Sequence, residues 1–179
     1  MRTFLVVSAF VCSLAASVAY AAEPPVKPAT AAKLPATVAA GLKSVADMCR
    51  EAGGKPLLAD TVKRADLNGD GHEDFVLFLG WANCDGAASL YGDREKGVSV
   101  YVGDGSGGAA EAFSGSVFDA TIEGTGAAAK LWLNVSGRDC GKPPARDFAS
   151  ENFCDRALVW NAKTKKFDFA PVSTVRMIQ

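Results

Sequence analysis

Leu34, Val38, Leu42, Val45 and Cys49 recur three or four residues apart, which places them on one helical face. The spacing predicts a helix over Thr37–Ala52 that Gly53-Gly54 stops, with Gly41 weakening it without cancelling its periodicity. Beyond residue 60 the period falls to two. Short strands are predicted over Thr61–Ala65, Phe75–Leu79, Gly97–Val102, Phe113–Ile122, Lys130–Val135, Ala157–Asn161 and Asp168–Ile178, the last broken near Pro171. Phe75–Leu79 is apolar throughout and reads as a central strand, whereas Val98, Val100 and Val102 alternate with Ser99 and Tyr101 as in a half-buried one. Asp104-Gly105-Ser106-Gly107-Gly108 reads as a hairpin connector.

One helix followed by a run of strands predicts an α+β domain, an N-terminal helix packed on a mainly antiparallel sheet. A doubly wound fold would need helices between the strands. A six- or seven-bladed propeller would need a longer chain.

The N-terminus changes the setting of this domain. Met1-Arg2, an apolar stretch from Phe4 to Val18 and Ala19-Tyr20-Ala21 together predict a signal peptide over residues 1–21, cleaved after Ala21. The apolar stretch is short for a membrane anchor. Residues 22–36, rich in Pro, Ala, Lys and Thr, read as a flexible tether, leaving residues 37–179 as a single domain. The expected location is periplasmic or secreted, with no membrane insertion once the signal is cleaved. Without the leader, 158 residues carry 18 Lys and Arg against 20 Asp and Glu. A near-neutral chain without a basic run offers no electrostatic footprint for nucleic acid, and a monomer is expected.

Cys12 departs with the leader, and Cys49, Cys84, Cys140 and Cys154 remain for an oxidising compartment. Three complete pairings are possible; the favoured one joins Cys140–Cys154, closing a Gly/Pro-rich excursion in which Phe148 and Phe153 can form a small cluster, and Cys49–Cys84, pinning the helix. Zinc is disfavoured: no two cysteines are closely spaced, and the only histidine, His72, lies in an acidic loop.

That loop, Asp66-Leu67-Asn68-Gly69-Asp70-Gly71-His72-Glu73-Asp74, is the strongest chemical signal in the chain. Side-chain oxygens at its first, third, fifth and ninth positions would converge on a hard cation, calcium above all, if Gly69 and Gly71 let the backbone curl. It resembles the D-x-N-x-D-G-x-x-D loops of EF-hand-like and FG-GAP (integrin-propeller-type) proteins. The resemblance implies a structural calcium held by the side chains of Asp66, Asn68, Asp70 and Asp74 and by the His72 carbonyl. It covers the loop and its flanks: position twelve is Leu77 in place of the bidentate Glu of an EF-hand, and the loop occurs once. An extracellular module with affinity of about 0.1–1 mM is the apt comparison. The other reading is an acidic turn whose Asn and Asp accept backbone amides.

No catalytic residue stands out. With the four cysteines paired no thiol nucleophile is left, and His72 lies where a triad base is not expected. The expected function is therefore an exported, calcium-binding, non-enzymatic interaction module, an inhibitor or envelope accessory, whose partner is an envelope protein or a glycan. Trp81, Tyr91, Tyr101 and Trp160 are its candidate contact residues, with core packing as their other reading, and Trp81 opens a segment expected beside the loop. The alternative is a small secreted hydrolase acting on cell-wall or polysaccharide substrates through acidic residues.

Overall fold

The computed structural model describes residues 33–178. The predicted signal peptide, its cleavage site and most of the tether lie outside the described residues. Among those described are one α-helix, two antiparallel sheets and a small antiparallel ribbon, an α+β architecture with two disulfides.

Helix α1 spans Ala36–Glu51, within a residue of expectation at each end. Gly53, at φ +80°, turns the chain out of it. Val38, Val45 and Cys49 of its stripe are buried, with Leu34 and Leu42 packed around them, so side-chain packing begins inside the expected tether. Strand β1 (Lys55–Leu57) follows, pairing with β4 (Asn83–Asp85), and the Cys49–Cys84 disulfide joins α1 to this ribbon. Neither short strand is visible in the sequence, since three residues cannot show a period.

The first sheet runs β2-β3-β5-β6, with β2 at Val62–Ala65, β3 at Asp74–Phe78, β5 at Lys96–Gly103 and β6 at Ala109–Val117. Every residue of β3 is buried. The reason is that both its faces are covered: Val76 and Phe78 share a core with the second sheet, while Phe75 and Leu77 share one with Val38, Val45 and Cys49 of α1. Such two-sided burial produces a continuous apolar run instead of alternation.

The second sheet runs β10-β9-β8-β7, with β7 at Asp119–Glu123, β8 at Lys130–Ser136, β9 at Phe153–Asn161 and β10 at Lys166–Phe169; β11 (Arg176–Met177) pairs with the start of β9. Leu131, Leu133 and Val135, alternate positions of β8, enter the shared core with Val98 and Val100 of β5. The single strand expected over Phe113–Ile122 is two strands, broken at Phe118, where the chain passes from one sheet to the other. The alternation shifts phase at Val117-Phe118, from Phe113 and Val117 to Phe118, Ala120 and Ile122, and this shift marks the change of sheet. Phe118 itself joins Phe148 and Phe153, centroids 4.9–5.9 Å apart, beside the Cys140–Cys154 disulfide that closes the excursion.

Candidate functional site

The acidic loop connects β2 to β3, whose antiparallel pairing runs from Val62↔Leu77 to Ala65↔Asp74. Its positive-φ positions are Gly69 (+77°) and Gly71 (+86°), where a side chain would be strained. The Asp66 carboxylate accepts the amides of Gly69 at 2.8 Å, Asp70 at 3.1 Å and Gly71 at 3.0 Å, curling the backbone around itself. Asp70 accepts the His72 amide at 2.9 Å and the Asn68 side-chain amide at 2.8 Å. The loop is thus built from turns in which carboxylates bind backbone N–H groups.

Asp74 differs from its neighbours because it is wholly buried. One carboxylate oxygen accepts the amides of Leu67 (2.8 Å) and Asn68 (3.2 Å); the other accepts that of Gly103 (3.1 Å), at the end of β5. It therefore ties both ends of the loop to the neighbouring strand. Gly103 is required at that point, since a Cβ there would lie 2.2 Å from the Glu73 carbonyl oxygen. Burial pushes the Asp74 carboxyl above its ordinary value, against the pull of the Leu67, Gly103 and Asn68 amides and with a push from the Asp70 charge. Asp70 is shifted the other way. The His72 amide, then the Asn68 side chain, hold its carboxyl below the ordinary value.

Among the described residues no three His, Cys, Asp or Glu side chains converge as a metal-binding group. Asp66, Asn68 and Asp70 lie together in the loop with their lone pairs partly used by amides, His72 is exposed, and Asp74 faces inward with both oxygens engaged. The outer three side chains and the His72 carbonyl are consequently the donors open to a cation from solvent.

The Asp104–Gly108 turn is the expected hairpin connector, joining β5 to β6 in a register that reaches Gly103↔Ala109. One Asp104 oxygen accepts the amides of Ser106 (2.8 Å) and Gly108 (2.9 Å) and the Ser106 hydroxyl, which hold its carboxyl below the ordinary value. The two loops are in contact: a Cβ on Gly105 would meet the His72 ring 2.5 Å away.

Between these loops and the β9–β10 hairpin lies a cleft of about 330 Å³. Asn68, Asp70 and Asp104 line the side formed by the first sheet, and Trp160 and Lys165 the side formed by the second. Val102 and Ala112 contribute apolar surface between them. The hairpin is held against the first sheet by the Lys166 ammonium, which donates to the Glu111 carbonyl at 2.7 Å, and by an edge-to-face contact of Phe113 with Phe169. Lys165, in the turn, has φ +55°, the one positive φ of a non-glycine residue among those described. Nothing in Asn161-Ala162-Lys163-Thr164-Lys165-Lys166 singles it out in the sequence; only the folding of the hairpin onto the first sheet brings it to Asp70.

Of the four aromatic residues expected to make contacts, Trp160 alone lines this cleft. Tyr91 and Tyr101 are 7% and 8% exposed and belong to the α1 cluster, Tyr91 donating its hydroxyl to the Val45 carbonyl at 2.9 Å. Trp81 packs edge-on against Phe78 beneath the Lys63 ammonium. Its segment follows the far end of β3 from the loop, about 15 Å away at the rise of a strand, so it does not flank the site as expected. A larger hollow of about 500 Å³ lies at the opposite end of β6, by Phe118 and Phe148. Three of its polar groups are engaged: Arg94 stacks on Phe148, Asp147 caps Ser150, and Glu151 accepts the Asn152 amide.

Compared with known proteins, the chain matches no family model, and neither a curated protein nor a solved structure matches it.

Proposed function

We propose that this protein is an exported, non-enzymatic binding module of the cell envelope that presents the cleft between its two sheets to a target and takes up calcium on the acidic loop at its rim. The observation that carries the reading is the composition of the cleft: an indole, two carboxylates, an amide and an ammonium around an apolar base. Binding sites commonly combine an apolar surface with a few convergent polar groups. The setting agrees with export, since two disulfides suit an oxidising compartment and no helix among the described residues is long and apolar enough to cross a membrane. The hydrolase reading has less support. A glycosidase needs one carboxyl raised to act as an acid, whereas Asp70 and Asp104 are both held low by the hydrogen bonds they accept.

For calcium the ligand set narrows to Asp66, Asn68, Asp70 and the His72 carbonyl. Asp74 acts as the internal strut that holds them, because it is wholly buried and its carboxylate bonds across to the Gly103 amide of the neighbouring strand. When bound, the ion neutralises the crowded loop charge and rigidifies one wall of the cleft. Calorimetric titration and thermal melts with calcium or chelator test this. Stability should rise by about 2.7 kcal/mol at a hundredfold excess over Kd, magnesium should do less, and Asp70→Asn should abolish the response. No heat at millimolar calcium, with melting unchanged by chelation, would remove calcium from the proposal. The cleft reading is tested separately: a screen of envelope peptides and glycans by nuclear magnetic resonance should move the Trp160 indole signal, and hydrolysis of any of them would replace binding by catalysis.

A further inference from the structure

We infer that the cleft takes a small zwitterion of the amino-acid or short-peptide type, its ammonium set against Asp104 and its carboxylate against Lys165. The inference rests on the cleft being a binding site and names the chemistry of what it binds. Charge is distributed unequally over the two walls. The wall from the first sheet carries Asp70 and Asp104, and the wall from the second carries Lys165.

Two of these groups have capacity left over. Asp104 makes its turn with one oxygen, Oδ1, and its Oδ2 has no hydrogen-bond partner among the described residues. The Lys165 ammonium makes no hydrogen bond or ion pair among the described residues, although its charge is felt at Asp70. A purely cationic ligand would meet repulsion from Lys165, and a purely anionic one would meet it from both aspartates. A neutral sugar would leave both walls' charges desolvated without a counter-charge, which is costly in a partly apolar site. A ligand bearing one charge of each sign satisfies both walls at once.

The body of that ligand must be short and aliphatic. Val102, Ala110 and Ala112 line the space between the charged walls, and the half-buried Trp160 ring closes one side. The volume, about 330 Å³, is at the lower end of small-molecule sites, suited to one or two residues with small side chains.

The test follows the Trp160 indole resonance, assigned with Trp160→Phe, in calcium-free buffer during titration with L-alanyl-L-alanine. N-acetylated L-alanyl-L-alanine retains the anion alone, the dipeptide amide retains the cation alone, and D-glucose is the neutral probe. The free dipeptide should bind at least tenfold more tightly than either capped form. Asp104→Asn, which retains Oδ1 for the turn, and Lys165→Gln should each weaken it at least tenfold with the melting temperature unchanged. Equal binding of free and capped dipeptides, or no effect of either substitution, would overturn the inference while leaving a binding cleft. A response to glucose without one to the dipeptide would do the same. Silence of all four probes at Trp160 would overturn both the inference and the cleft as a binding site.

Discussion

The Asp66–Asp74 loop and the Asp104–Gly108 turn use the same residues, Asp and Gly with a small polar partner, and sit in contact, yet they are secured in different ways. The shorter turn is tied by one exposed carboxylate that reaches only Ser106 and Gly108, within its own span. The longer loop has the same kind of local ties from Asp66 and Asp70, and beneath them a buried carboxylate, Asp74, bonded to the far strand through Gly103. A hydrogen bond exposed to water exchanges one good partner for another and contributes little. A buried acceptor serving three amides leaves three unsatisfied donors when it is removed. Similar local sequence therefore produces one replaceable turn and one turn that belongs to the core.

Asp74→Ala should break this contrast most strongly. Stranding the amides of Leu67, Asn68 and Gly103 is expected to cost about 3–4 kcal/mol in urea unfolding, with the β2–β3 connection losing amide exchange protection first. Asp74→Asn should recover little of it, since its single carbonyl oxygen cannot accept on both sides and its NH₂ would face a donor. Asp104→Ala should shift the melting temperature only slightly. An equal effect of the two alanine substitutions would remove the distinction between the loops.

Next in size is the close approach on the strand side. Gly103→Ala puts a methyl against the Glu73 carbonyl and should cost about 2 kcal/mol, since backbone must move on both strands. Gly107→Ala meets nothing within 4 Å, although φ is +97°; it should cost about 1 kcal/mol, through backbone strain alone. Thermal melts of the two variants check the order.

The smallest effect is in the response to acid, and the two kinds of carboxyl should contribute with opposite sign. Asp70 and Asp104 are lowered in the folded protein, so their stabilisation is present above the unfolded value, about 3.9, and is lost as pH falls through their folded values. Asp74 is raised, so its contribution is greatest below about 3.9 and is lost as pH rises through its folded value. In calcium-free buffer, Asp70→Asn should flatten the loss of stability below about pH 4, and Asp74→Asn should steepen it. Urea melts from about pH 2.5 to 7 measure both slopes, and parallel profiles for the two variants would contradict the assignment.

Much of this molecule follows from local patterning. The helix stripe from Leu34 to Cys49 permits one helix and marks its buried face; Gly53 ends it because only a residue tolerant of positive φ continues the chain there. The apolar run of β3, the alternation in β5 and β8 and the Asp104 turn have physical causes contained within a few residues, whereas the four cysteines admit three pairings, of which the fold adopts the favoured one. The turn-forming character of the acidic loop was equally legible, since Asp, Asn and Gly at those spacings accept neighbouring amides wherever they occur.

What tertiary structure alone decided is how these pieces face one another. Whether Asp74 points outward or inward depends on the burial of β3 between α1 and the second sheet and on the Gly103 amide, 29 positions away in the chain. That Tyr91 and Tyr101 pack inside while Trp160 lines a cleft depends on which element covers each ring, and aromatic side chains serve either environment. The placing of Lys165 in one cleft with Asp70 and Asp104 arises only when the two sheets close. Hydrophobic periodicity records which face of an element is buried, but a single surface lysine or aspartate carries no mark of the residue it will meet across a fold.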